Sequence, residues 1–259
     1  MQLQGQTALV TGAGSGLGAA VALEFARLGA KVAVLDVNEA GAQAVSARIV
    51  EAGGQALGLR CDITDSASVE AALDAAAAAL GPARLLMNIA GIGGAKRIVG
   101  KDGSAAPLED FERVVKVNLI GTYNMTRLYA QRVVKLEALA DGERGVVINT
   151  ASVAAYDGQV GQEAYSASKG GLVGLTLPLA RDLAQYGVRV LTIAPGLFLT
   201  PLMAQLPEAV QASLAESIPF PKRLGKPEEF AALAAHIVAN VHLNGEVIRL
   251  DGAVRLAPR

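Results

Sequence analysis

Thr11-Gly12-Ala13-Gly14-Ser15-Gly16-Leu17-Gly18 follows directly on a β-rich apolar run, 7–10, and opens an Ala/Leu-rich helical pattern from Ala20 to Leu28. Gly12, Gly16 and Gly18 carry the information. Lacking Cβ atoms, they let the chain turn tightly and bring its backbone close to a pyrophosphate. The unpaired amides and positive dipole end of the following helix favour that anion. A glycine-rich turn alone is equally compatible with a plain strand-to-helix connection, so its surroundings decide.

Those surroundings repeat. The runs 7–10, 31–35, 56–60, 84–87, 146–149 and 188–193 read as strands, each followed by a helical pattern. Continuous apolar strands alternating with helices predict an α/β fold of Rossmann type, a doubly wound, mostly parallel sheet with helices on both faces. Ligands in such sheets lie at the carboxyl ends of the strands. With 259 residues, 52% apolar and only 4% aromatic, the chain is expected to form one domain, 1–259, cored by Ala, Val, Leu and Ile. Two stretches break the rhythm: 92–107, read as a substrate loop, and the proline-rich 196–226, read as a segment that folds over a ligand.

Charge narrows the function. Lys plus Arg number 23 against 24 Asp plus Glu, a balance without the basic excess of a phosphate-backbone binder, so nucleic acid is not the expected partner. Cys61 is the only cysteine, and His236 and His242 have no partner at metal-ligand spacing, so neither a disulfide nor a metal is expected. The N-terminal residues lack a leader pattern and no 18-residue apolar run occurs, so a soluble, cytoplasmic protein without a membrane partner is expected.

The second strand ends at Asp36, eighteen residues beyond Gly18. A carboxylate there accepts hydrogen bonds from ribose hydroxyls and repels a 2′-phosphate, which selects NAD. Asp62, followed by Ile63, ends the third strand, either to read adenine or to cap the helix starting near Ser66. Asn88-Ile89-Ala90-Gly91 ends the fourth; Asn88 is read as tying strands together, with Ile89, Ala90 and Gly91 beside the cofactor.

Tyr165 and Lys169 stand four apart in a helical pattern, roughly 5–6 Å at Cβ on one face. An ammonium beside a phenol favours phenolate and makes Tyr165 a usable acid or base near neutrality. Ser152, thirteen residues earlier, supplies a hydroxyl for a carbonyl oxygen on which charge develops. Alone, the Tyr/Lys pair is indistinguishable from an amphipathic helix with a snorkelling lysine. Its weight comes from coinciding with the glycine turn, Asp36 and Ser152.

Together these motifs resemble the short-chain dehydrogenase/reductase family across essentially the whole chain. The family's Thr-Gly-x-x-x-Gly-x-Gly turn, Asn-x-Ala-Gly strand end, helix Asn, Ser and Tyr-x-x-x-Lys pair match Thr11 to Gly18, Asn88 to Gly91, Asn118, Ser152, Tyr165 and Lys169. The resemblance implies that Ser15 and Leu17 line the cofactor with the glycines and that Lys169 binds the nicotinamide ribose. It implies that Asn118 holds a water linking Lys169 to solvent, and that Phe198 and Thr200, after Pro195-Gly196, border the nicotinamide; Leu197 and Leu199 are read as packing.

The stretches 150–162, 193–198 and 244–252 resemble the branch of the family that oxidises short or branched (S)-3-hydroxyacyl-CoA, with Gln159 orienting the acyl group. Lys96, Arg97 and Lys101 are candidates to meet the CoA phosphates, or are simply solvated. The resemblance also implies a homotetramer, with contacts through the helices bearing Asn118 and Tyr165 and through 247–259. A steroid or other secondary-alcohol dehydrogenase remains an alternative. A non-catalytic NAD-binding regulator is a further one, disfavoured because binding alone does not require a tuned phenol.

Overall fold

The computed structural model describes residues 1–258, apart from the side chain of Leu202. Seven strands, β1 (Thr7–Thr11), β2 (Lys31–Asp36), β3 (Gln55–Arg60), β4 (Ala83–Asn88), β5 (Gly145–Thr150), β6 (Val188–Pro195) and β7 (Val247–Leu250), form one sheet in the order β3-β2-β1-β4-β5-β6-β7. Every pairing is parallel. The helices are α1 (Gly16–Arg27), α2 (Glu39–Glu51), α3 (Ser66–Leu80), α4 (Leu108–Val115), α5 (Thr122–Val133), α6 (Glu163–Ala184), α7 (Pro201–Ala204), α8 (Glu208–Glu216) and α9 (Pro227–Ala239).

The two-residue period of a strand sends alternate side chains to opposite faces, and apolar residues here occupy both. Ala8, Val10, Val32, Val34, Val146 and Ile148 pack with α1, α2 and α9. Leu9, Ala33, Leu35, Leu86, Val147 and Val190 face the other way, against α3, α5 and α6. The Rossmann expectation therefore holds, with helices covering both faces. Local chemistry starts the helices: the Asn38 side chain accepts from Gly41 N to cap α2, and Asp65 accepts from Ala67 N to cap α3. Among the described residues no helix is long and apolar enough to cross a membrane.

One strand goes beyond the sequence reading, and one of the two alternatives for Asp62 falls. A seventh strand, β7, was not foreseen: it is four residues long, half-buried throughout and interrupted by Arg249, so it has no apolar signature, and its pairing with β6 creates it. The cap of α3 is Asp65, not Asp62. Asp62 accepts instead from the backbone and hydroxyl of Thr64, closing the turn that precedes the helix.

Chain order reverses between β2-β1 and β4-β5, which opens a crevice at the carboxyl ends of β1 and β4. The glycine turn leaves β1 there.

Candidate active site

The glycine turn is shaped by close approach. Gly12 has φ +65°, and a Cβ on it would lie 2.7 Å from the backbone of Ala90. A Cβ on Gly18 would overlap the Gly12 carbonyl, and one on Gly14 would meet the Asp36 carboxylate at 2.9 Å. Thr11, given no role of its own by sequence reasoning, accepts through Oγ1 from Ile89 N and Ala90 N and so joins the turn to the end of β4. Gly16, at φ +54°, faces Thr200 and Pro201. A cradle in which Gly12, Gly14 and Gly18 leave no room for a side chain, beneath the start of α1, fits a pyrophosphate.

Asp36 ends β2 beside this cradle. Its Oδ2 accepts from Gly14 N and its Oδ1 from Asn38 N, each at 2.9 Å, which fixes the carboxylate while each oxygen keeps a lone pair for a ribose hydroxyl. Asp62 lies two residues beyond the end of β3, its carboxyl held below the usual carboxylate range by the two Thr64 hydrogen bonds. Ile63 is buried and packs where a Cβ on Gly121 would lie, 2.8 Å away; its carbonyl accepts from Asn124. Ser15 is exposed and Leu17 half-buried at the start of α1.

At the carboxyl end of β5, Ser152 accepts through Oγ from Ala154 N at 3.1 Å, capping a short 3-10 turn, Val153–Ala155. The hydroxyl hydrogen is the one that acts on the neighbouring Tyr165 oxygen, and a ligand oxygen placed between the two would compete for it. Tyr165 and Lys169 rise from the first turns of α6, with Lys169 Nζ 5.7 Å from the Tyr165 ring centroid. Lys169 is buried and donates to Thr150 O at 2.7 Å. A Cβ on Gly91 would lie 3.5 Å from Lys169 Nζ and 3.1 Å from Asn118 Oδ1, so β4, β5, α6 and the π-helical turn Lys116–Gly121 converge on one spot.

The electrostatics of Tyr165 differ from expectation. Burial raises the pKa of Tyr165, with the Ser152 hydroxyl acting in the opposite direction. The lysine expected to lower it sits over the ring and is itself pushed down to about 8 by burial. Asn118 is buried with both amide hydrogens used: Oδ1 accepts from Ile92 N, and Nδ2 donates to Ile92 O and to Ser168 Oγ. Ser168, which sequence reasoning passed over between Tyr165 and Lys169, donates in turn to Tyr165 O. Asn88 behaves as read, donating to Asn149 on the neighbouring β5, and it donates also to Thr126 on α5.

The buried lysine makes a stability prediction. Its pKa lies below that of an exposed lysine, so between the folded and unfolded values the unfolded chain binds more protons, and stability rises with pH. Wild type should gain on Lys169→Met as pH is raised from about 7 to about 10. Urea unfolding of both proteins across that range checks it; parallel curves would refute it.

The Phe198 ring is buried edge-on against Phe230, centroids 6.2 Å apart. Leu199, expected to pack, is 44% exposed. Thr200 stands opposite Gly16 and caps α7 through Met203 N. Gln159 donates to Ala257 O at 2.9 Å, and Lys96 pairs with Asp110 at 2.6 Å, while Arg97 and Lys101 are exposed.

Comparison with known proteins places this arrangement. The family profile described as short chain dehydrogenase matches residues 6–211. Human 3-hydroxyacyl-CoA dehydrogenase type-2 is 49% identical over 257 residues, covering 99% of this chain and 97% of the relative. The crystal structure of 3-hydroxyacyl-CoA dehydrogenase type-2 from Mycobacterium avium superposes with a TM-score of 0.94 at 42% identity, covering 98% of each chain. A 7α-hydroxysteroid dehydrogenase complexed with NADH and 7-oxo glycochenodeoxycholic acid superposes with a TM-score of 0.89 at 31% identity, covering 100% of this chain and 97% of that one. With its glycine cradle, Asp36 and the Ser152, Tyr165 and Lys169 cluster at one sheet edge, the chain belongs to the short-chain dehydrogenase family.

Proposed function

We propose that this chain catalyses the reversible, NAD-dependent oxidation of a short or branched (S)-3-hydroxyacyl-CoA to the 3-oxoacyl-CoA. The observation that carries the substrate class is 49% identity, across nearly the full length, to 3-hydroxyacyl-CoA dehydrogenase type-2. NAD, when bound, takes or supplies the hydride. Gly12, Ser15, Gly16, Leu17 and Gly18 hold its pyrophosphate end, and Asp36 accepts from the adenosine ribose. Asp62 and Ile63 flank the adenine; Ile89, Ala90, Gly91 and Thr200 line the rest, with Phe198 contributing through its backbone.

In the reduction direction Ser152 donates to the substrate carbonyl oxygen, stabilising negative charge as it develops. Tyr165, kept protonated by burial, delivers the proton to that same oxygen. Lys169 has one protein acceptor, Thr150 O, and two N–H groups left to fix the nicotinamide ribose beside the phenol. Asn118 holds the root of the 92–107 loop against α6 and lies beside Lys169, where a water for proton relay would bind. Gln159 borders the acyl group.

We further propose that residues 1–259 act as one dinucleotide-binding and catalytic domain in a cytoplasmic homotetramer. Exposed Ile120, Tyr123 and Leu177, on the segments bearing Asn118 and Tyr165, supply apolar surface for subunit contacts. The C-terminal strand and tail join them; Arg259 lies outside the described residues. A steroid or other secondary alcohol is the second reading for the substrate, favoured by the likeness to the hydroxysteroid dehydrogenase.

The test is NADH oxidation with acetoacetyl-CoA beside a ketosteroid and beside NADPH. Turnover of the thioester with NADH supports the proposal, and turnover of the steroid alone replaces the substrate. Asp36→Ala should lower the preference for NADH over NADPH by roughly tenfold or more, since it removes both the ribose acceptor and the charge facing a 2′-phosphate. An unchanged preference in the two steady-state titrations would remove Asp36 from the cofactor site.

A further inference from the structure

The segment between Ser152 and Tyr165 is gripped from two sides. From one side Lys96 N donates to Gly161 O at 2.7 Å, anchoring the 92–107 loop. From the other comes the chain's own tail. Gly252 and Ala253 turn it back after β7 with φ +59° and +66°, Asp251 Oδ1 accepting from Ala253 N. Val254, fully buried with Ile218 and Leu224, anchors it. Beyond that anchor Ala257 O accepts from Gln159 Nε2 at 2.9 Å and Pro258 O from Val160 N at 3.1 Å.

Arg249 joins the two. Its Nη2 donates to Asp157 Oδ2 at 2.7 Å and to Val254 O at 3.1 Å, its Nε to Asp251 Oδ2 at 2.7 Å, and its guanidinium lies 5.0 Å from the Tyr156 ring centroid. A planar donor fork that reaches two carboxylates and a carbonyl at once fixes direction as well as distance, which a lysine does not reproduce. One side chain on β7 thus sets the segment carrying Asp157 and Gln159 against the tail.

We propose that the tail 254–258, latched by Arg249, is a positioning strap that sets the acyl-facing segment 156–162 and thereby the enzyme's apparent affinity for its acyl substrate. The inference rests on the acyl-CoA reading for the substrate and on the hydrogen bonds alone for the latch. A residue that acts through a neighbouring segment shifts binding of the group that segment meets and leaves distant binding unchanged. Three strands, β4, β5 and β6, separate β7 from the β1 end that carries the glycine cradle, so cofactor binding is the internal reference.

The experiment compares wild type, Arg249→Met and a chain ended after Leu256, which keeps Val254 and Leu256 in the apolar anchor and removes Ala257 and Pro258. Steady-state reduction of acetoacetyl-CoA should show KM for the thioester raised roughly tenfold in both variants, with kcat and KM for NADH within about twofold. Arg249→Lys should recover little. Amide hydrogen exchange at Val160, read by NMR, should quicken in the shortened chain. An unchanged thioester KM overturns the strap, as does a rise that comes with an equal rise for NADH, a lowered melting temperature or an altered sedimentation coefficient. If wild type turns over only another ketone, the acyl-CoA reading fails by itself; unchanged Val160 exchange, or an unchanged KM for that ketone, then overturns the strap.

Discussion

Replacing Tyr165 by Phe is expected to lower kcat/KM for 3-oxoacyl-CoA reduction by roughly 10²–10⁴-fold while leaving NADH affinity within about twofold. The change removes one oxygen and nothing that packs. The ring still lies beside Lys169, 5.7 Å from Nζ, so the lysine keeps its neighbour and its bond to Thr150 O. What is lost is the proton donor to the nascent alkoxide. Because burial raises the tyrosine pKa, the phenol is protonated at neutral pH and suited to donation. By the same sign, the phenolate needed in the oxidation direction is favoured as pH rises, so wild-type oxidation should climb into the alkaline range while reduction declines. Stopped-flow or steady-state rates for both directions across pH, with NADH binding read by fluorescence, check the pair of expectations. A variant that retains wild-type turnover would assign the proton to another group.

Ser152→Ala is expected to cost roughly 10²–10³-fold in kcat, the usual consequence of removing one donor aimed at a developing oxyanion. Here the serine also caps the 3-10 turn Val153–Ala155 by accepting from Ala154 N, so the variant should lose about 1 kcal/mol of stability as well. The two effects separate experimentally. The stability loss appears in urea unfolding and leaves the fold populated, whereas the rate loss persists at low temperature with fully folded protein. Ser152→Thr should restore part of the cap and part of the rate, because the hydroxyl returns with an added methyl in a half-buried position. If Ser152→Ala melted earlier but turned over at the wild-type rate, the serine would be a cap and no more.

What the residues disclosed in advance follows from range. Six strands are written in continuous apolar runs, and the α1 turn in glycines whose missing Cβ atoms the fold requires, so both were readable from near neighbours in the chain. The seventh strand, Val247–Leu250, exists because β6 offers an edge, and no local pattern records that. The same division holds in the site. Asp36, Ser152, Tyr165 and Lys169 stand where strand ends and helix spacing put them. The staple from Asn118 to Ile92 and Ser168 spans 26 and 50 residues, and the ring of Phe198 is turned inward by Phe230 from a distant helix. Sequence reasoning gave Lys169 the leading influence on the tyrosine; desolvation, a property of the assembled core, raises the phenol and lowers the ammonium instead. Sequence alone leaves Asp62 between adenine and a helix cap, and the cap belongs to Asp65, three residues further on.

The central claim is that this cleft passes a hydride to C3 of a 3-oxoacyl-CoA with Tyr165 as proton donor. It is tested most directly by reducing acetoacetyl-CoA with 4-deuterated NADH of each stereochemistry and locating the label in the isolated product by mass spectrometry and NMR. The account predicts (S)-3-hydroxybutyryl-CoA carrying one deuterium at C3 from one of the two labelled forms, and no such product from Tyr165→Phe above roughly a hundredth of the wild-type rate. Product without label at C3, or label transferred equally well by the phenylalanine variant, would contradict it.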